Sequence, residues 1–483
     1  GDGQDLYVET VDPSDPGCYL VGEQSIPFEE IKETIRIRDK DAPGGWREEL
    51  VTVRLTRRGP VVSGVMGGVS ADRVITLRWS ASETMGPSIG LVRLLTASSV
   101  AEVKKALKQI NFIMLNFVFA DRNGNVGRHA TGKLPVRARG DGTLPFEVKD
   151  GKDNWVGWIP FEDMPHSYNP ERGWVGSCNH STVPADYPYY YSSHLAPSYR
   201  YRRLKELLDR PGPKSVDDHW EFQRDTKNIM AERLCPIIAK ALLKDEKTEA
   251  VGALLGEWDL RDDVDRVEPT LFHSIYERFA YLVFRDELGD DLAGAMLGQW
   301  YFWQERLQDM VVKGGSPWFD DITTPEVRET RDALMVRAAL DVMDRLSESL
   351  GEDMDTWRWG RLHRLVFVSP VRREGLGKGF LGGGSHEAPG SVETLCRGMY
   401  DFNEPFEVTI SASLRMVADL SDPDKIRAVL PGGVAGRLFH PHAKDQIPAF
   451  MTGEPVYWWF SDRAIEEHAQ SRLVLTPQKE DLE

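Results

Sequence analysis

Apolar residues recur at helical spacing from Tyr199 to about residue 350, and strand-like alternation lies on both sides of that stretch. This ordering constrains the fold more than any single motif does. A sheet-rich beginning, a helical middle and a sheet-rich end allow one core to be built from both ends of the chain, with the helices inserted between them. Residues 1–205 read as a first sheet-rich part, 206–356 as a mainly helical region and 357–483 as a second sheet-rich part. The expected fold class is α+β.

Local signals fill in this outline. Residues 49–56 alternate and stop at Arg58-Gly59-Pro60, and 73–79 form a second strand candidate. Ser99 with Glu102 makes a capping-box pattern, and Val100, Val103, Leu107 and Ile110 share one helical face. A strand over 116–121 turns at Asn123-Gly124 into 126–129. Tyr199 to Leu208 reads as a helix stopped by Pro211-Gly212-Pro213, and Ser215 with Asp218 opens another. The last helix of the middle region is expected to start at Thr324 as N-cap, with Pro325 in its first turn, and to end at Leu350 before Gly351. Strand patterns return at 362–368 and 406–410. The chain contains no internal repeat and no low-complexity segment.

Composition excludes several classes of function. The 483 residues make about three domain equivalents at roughly 150 residues each. With 59 Lys and Arg against 76 Asp and Glu, the net charge is −17. Such a balance disfavours nucleic acid, whose phosphates need a clustered basic surface, and anionic lipid for the same reason. No apolar run reaches the roughly 18 residues that a membrane-spanning helix needs. Cys18, Cys178, Cys235 and Cys396 are far apart and form no CxxC, which excludes a disulfide scaffold and a cysteine zinc site. The start Gly1-Asp2-Gly3-Gln4-Asp5 has neither an initiator Met nor a signal peptide. The expectation is a processed product or a part of something longer.

The common catalytic textures are missing: there is no GxSxG elbow, phosphate-binding GK[ST] loop, HExxH or EF-hand. Gly382-Gly383-Gly384 reads as a loop, and His440-Pro441-His442 as a turn without an obvious third metal ligand. Trp458-Trp459 belongs to an aromatic-rich composition that suits a core or a sugar cleft. On a strand, Cys178 and His180 would share a face but stand roughly 6.5 Å apart, too far for a ready thiol–imidazole hydrogen bond. Asn179 between them, read as a buried residue at a strand end, offers a neutral amide donor suited to a developing oxyanion.

This stretch carries a resemblance that several ordered blocks share. Phe119-Ala120-Asp121 through Gly124-Asn125-Val126-Gly127, then Gly132-Lys133-Leu134-Pro135, Gly157-Trp158-Ile159-Pro160-Phe161 and Tyr168-Asn169-Pro170 lead to Asn179. Asp186-Tyr187-Pro188 and Arg200 follow, and later Trp359-Gly360-Arg361-Leu362-His363, Ser411-Ala412-Ser413-Leu414-Arg415-Met416, Leu430-Pro431-Gly432-Gly433 and Pro441-His442. In this order they resemble the penicillin acylase (penicillin amidase) family of the N-terminal nucleophile hydrolase superfamily, to about residue 478.

The resemblance implies a four-layer αββα sandwich of antiparallel sheets with a helical insert. It implies a periplasmic or secreted precursor that cuts itself into α and β chains. The β chain's N-terminal Ser would attack an amide with its own α-amine as base, and the amine's pKa of about 8 suits that task. Asn179 matches the side-chain donor of the oxyanion hole, and Arg200 an Arg beside the site. Asp2, Gln4, Asp5 and Gly142 match a calcium-holding segment of carboxylates and carbonyls.

The departures matter too. Gly1 aligns inside the family's β chain, so the nucleophilic Ser and the α chain are expected in polypeptide upstream, and this chain alone is expected to be inactive. No carboxylate falls between Tyr187 and Arg200, where the family has a further calcium ligand, and His180 stands where many relatives have Asn. The function implied is a β-chain portion of an amidohydrolase for N-acyl substrates, β-lactams or acyl-homoserine lactones among them. The alternative is a non-catalytic binding or assembly module derived from the family, towards carbohydrate given its aromatics.

Overall fold

The computed structural model describes residues 2–67, 73–148, 154–368, 382–437 and 439–476. Contacts group the chain into two units, 1–177 with 181–195, and 178–180 with 196–483. Helices and small, mostly antiparallel sheets give the α+β content expected.

In the first unit the Gln4–Glu9 strand pairs antiparallel with Val74–Trp79 and parallel with Phe146–Glu147. Asp5, Tyr7 and Glu9 are its buried positions, so two carboxylates face inward. Burying a charge is tolerable only with a partner. Glu9 accepts Arg58 Nη1 at 2.9 Å and the hydroxyls of Thr56 and Thr76 at 3.1 and 2.9 Å. The alternation at 49–56 belongs to the longer strand Trp46–Thr56, which pairs with Glu29–Arg38 in a hairpin.

The Asn116–Ala120 and Val126–Ala130 hairpin forms as its turn residues dictate. Gly124 takes a φ of +85°, and the Asp121 carboxylate accepts the N–H groups of Asn123 and Asn125. Asp121 also accepts the N–H of Val100, tying the hairpin to the Ser99-capped helix Val100–Leu107. His166–Tyr168 adds a third strand on the other edge of Val126–Ala130.

The second unit is built around helices. Glu268–Leu297, interrupted at Gly289, packs on Arg331–Leu350 through Phe272, Ile275, Phe279 and Val283 against Leu334, Ala338 and Val342, all buried. The Ser215–Asp218 capping box and the Gly351 stop are found where the sequence puts them. The start of the last long helix is not. Its N-cap is Thr330, whose hydroxyl accepts the N–H of Ala333 at 3.2 Å. Thr324 is spent on a turn instead, its hydroxyl donating to Asp321 and Glu329, while the Glu329 N–H goes to Asp320.

After the helices, Arg364–Phe367 pairs with Gly384–Glu387, and Arg415–Val417, Ile426–Val429 and Val456–Trp458 form an antiparallel sheet. Residues 406–410 are not the strand expected, since Phe406 and Glu407 lie in a turn and a bend. Val408 bridges Leu365, and only Ile410–Ser411 pairs, with Gly398–Met399. Phe406 and Val408 are buried, and Phe406 lies against Trp359 and Tyr400, so packing holds this segment more than a ladder does.

Trp359, fully buried, is the keystone of this region. Its ring stacks on His273 and His363 at 4.8 and 4.6 Å, and Nε1 donates to the Gly390 carbonyl at 2.9 Å. Gly390 has a φ of +82°, and a Cβ there would lie 1.7 Å from the Cys396 carbonyl oxygen. Strain and overlap then add. Gly390→Ala is expected to lower stability by roughly 3 kcal/mol or more, measured by denaturant unfolding.

Candidate active site

Cys178, Asn179 and His180 lie in a loop and not on a strand, which corrects the strand reading of this tripeptide. Asn179 has a φ of +66°, a left-handed conformation that Asn tolerates better than most residues. Its side chain is exposed, not buried, while Cys178 and His180 on either side are buried. The loop is held from the first turn of the helix Tyr199–Leu208. Arg200 Nη2 donates to the Cys178 carbonyl at 2.7 Å and to Asn179 Oδ1 at 3.1 Å. The next side chain, Tyr201, stacks on the His180 ring at 3.8 Å, and the Asn179 carbonyl accepts the N–H of Ala196.

The contact with Arg200 settles the sense of the amide. A guanidinium can only donate, so the amide group it meets must be the oxygen. The NH2 of Asn179 is therefore turned away from Arg200, as a hydrogen-bond donor. That is the chemistry an oxyanion requires.

Cys178 is not placed as a nucleophile. Its main-chain N–H faces His180 Nδ1 at 3.4 Å, and burial pushes its thiol pKa up. A buried thiol raised in this way is inert rather than reactive.

Behind Arg200 lies a group that sequence reasoning missed. Glu393 is fully buried, and burial raises its carboxyl from about 4.5 to about 7, against the pull of Arg200 and Arg397. Neither Glu393 oxygen has a hydrogen-bond partner, nor do Arg200 Nε and Arg397 Nε and Nη2. The three side chains act on one another through space. Burial lowers the Arg200 pKa first, with repulsion from Arg397 second. The advance signal was an acid and a base four residues apart, Glu393 and Arg397. Arg397 also lines a cavity of about 230 Å³ with Arg224, Arg261 and Arg415, which Asn179 does not line.

The segment matched to calcium lies in the first unit. Asp2, Asp5 and Gly142 do come together there, whereas the Gln4 side chain is exposed. The Asp5 carboxylate, however, takes Arg137 Nε and Nη2 and the indole N–H of Trp155 at 2.7 Å. The Asp2 carboxylate takes the hydroxyls of Tyr190, Ser192 and Ser193 and the N–H of Ser193. Burial raises the Asp2 pKa, but these hydrogen bonds outweigh it and leave the carboxyl lowered. Calcium asks for six to eight oxygens turned towards it. Oxygens already turned to donors and to a guanidinium do not fit that ion, and no group of three or more His, Cys, Asp or Glu among the described residues could hold a metal.

The remaining motifs make local contacts. At Gly383 a Cβ would come within 2.2 Å of the Ile447 side chain, so this glycine serves close packing. His442 pairs with Asp445 at 2.7 Å, and Trp459 stacks on His468 at 3.7 Å.

Glu393 generates a pH prediction. Its folded pKa lies above its unfolded value, so folding favours the protonated acid. The stability it contributes is fully present below about pH 4.5 and is lost as pH rises through about 7. Glu393→Gln should remove that loss, worth up to about 3 kcal/mol. Thermal melts at pH 5 and pH 8 are expected to show a flatter profile for the variant.

Comparison with known proteins places the chain. A family model described as penicillin amidase matches residues 1–467. An acyl-homoserine lactone acylase, QuiP, from Pseudomonas aeruginosa is 24% identical over 99% of this chain and 60% of its own length. The penicillin acylase 2 proenzyme of Pseudomonas sp. (strain SE83) is 27% identical over 93% of this chain and 58% of its own. The solved thermostable penicillin G acylase from Alcaligenes faecalis shares the fold, with a TM-score of 0.71 at 20% identity over 99% of this chain and 87% of that one. The chain thus spans about 60% of the length of the curated relatives it matches.

Proposed function

The chain belongs to the penicillin amidase family, and on that premise we propose that it works as the β-chain portion of an amidohydrolase that cleaves N-acyl amides. Asn179 supplies the side-chain donor for the oxyanion, and Arg200 positions it. The attacking hydroxyl comes from an N-terminal Ser in polypeptide ahead of residue 1, released by processing of a precursor, with its own α-amine as base. Attack turns the carbonyl oxygen negative. The amine then leaves with a proton, and water releases the acid from the acyl-enzyme. Substrates are compounds with an apolar acyl group on nitrogen. The names of the relatives favour acylated homoserine lactones and penicillins as the first to try.

The observation that carries this reading is the pair of bonds from Arg200 Nη2 to Cys178 O and Asn179 Oδ1, because it presents an amide as a donor. A further support is the span of the relatives, which leaves room for the missing nucleophile.

The test uses the longer polypeptide that carries the upstream Ser. Asn179→Gly removes the amide and accepts the positive φ without strain. Hydrolysis of an acyl-homoserine lactone and of phenylacetyl amides is expected to lose about 10²–10³ in kcat, with the melting midpoint little changed. Turnover within a few-fold of wild type would remove Asn179 from the chemistry.

A further inference from the structure

We propose that Arg137 is a built-in cation of this chain, and that its guanidinium holds the Asp2–Asp5 segment together where the family resemblance implies calcium. Asp5 faces inward because positions 5, 7 and 9 share the buried face of their strand. A carboxylate removed from water at that place needs a positive partner. Arg137, at the end of the Pro135–Arg137 strand, brings one with a planar fork.

The geometry is that of a completed site. Arg137 Nε lies 3.0 Å from both Asp5 oxygens, and Nη2 lies 2.7 Å from Oδ1 and 2.9 Å from the Asp2 main-chain oxygen. A carboxylate and a main-chain carbonyl, the two kinds of oxygen expected around calcium, thus meet on one guanidinium. Both side chains of the pair are about 2% exposed or less. Gly142 closes over them. A Cβ there would lie 2.3 Å from Asp5 Oδ1 and 2.9 Å from Arg137 Nε, so only a bare Cα allows the approach.

Tyr190 completes the arrangement from the stretch that lacks the expected carboxylate. Its ring lies 5.6 Å from the guanidinium carbon, and its hydroxyl donates to Asp2 Oδ2 at 3.0 Å. A divalent ion set against this guanidinium would meet like charge at short range in a poorly screened place. The two cations exclude each other. The order of this segment therefore owes nothing to calcium.

The experiment compares the longer polypeptide that contains this chain with its Arg137→Ala and Arg137→Lys variants by thermal melting in EDTA and in millimolar calcium chloride. The wild-type midpoint is expected to be the same in both. Arg137→Ala should melt lower by about 5 °C or more. Arg137→Lys should fall between, since an ammonium keeps the charge and loses the fork. A wild-type midpoint that drops in EDTA, or an Arg137→Ala protein as stable as wild type, overturns the proposal. Should Arg137→Ala fail to fold, the EDTA and calcium measurements on the wild type decide alone.

Discussion

The contact from Arg200 to the 178–180 loop is the constraint on which the functional reading turns. Helix formation at Tyr199–Leu208 puts Arg200 in a first turn, where its side chain is buried and must find acceptors. It finds the Cys178 carbonyl and Asn179 Oδ1. Three consequences follow from that one preference. The loop is drawn to the Tyr199–Leu208 helix, the left-handed turn at Asn179 is held, and the amide turns its oxygen rather than its NH2 to Arg200. Charge behind Arg200 matters as well. Glu393 is buried without hydrogen bonds, and its ionisation alters the field in which the guanidinium sits.

Buried guanidinium groups recur in this protein and do similar work. In the first unit Arg58 meets Glu9 and Arg137 meets Asp5, both from one strand. Hydrophobicity alone would turn Leu6 and Val8 of that strand inward. The structure turns Asp5, Tyr7 and Glu9 inward instead. Such pairs add little net stability compared with apolar side chains of equal size, but they fail badly when one partner is lost. Their contribution is to fix register, because a one-residue slip would leave two carboxylates exposed and two cations buried alone.

What could be read in advance depended on how local the cause was. Ser99 and Ser215 cap helices because the cap and its partner lie three residues apart. Thr324 looked equally good, yet Asp321 and Glu329 compete for its hydroxyl, and Thr330 takes the role. Residues 406–410 alternate as a strand does, but the neighbours that would complete a ladder are supplied only at Val408 and Ile410. Asn179 and Arg200 were named from ordered motifs, whereas Glu393 and Arg397 sit in no motif and gain meaning only from the burial of Glu393 beside Arg200.

The sequence by itself determined the family, the α+β content and the choice of Asn179 and Arg200 as candidates, because ordered motifs and short-range periodicity are written along the chain. Tertiary structure decided that Asn179 stands in an exposed left-handed loop and that Asp5 faces Arg137. It also decided that Glu393 lies buried between cations. Each of these depends on residues far apart in the chain meeting where water is excluded, and the worth of a charge or an amide is set by that surrounding and not by its neighbours in sequence.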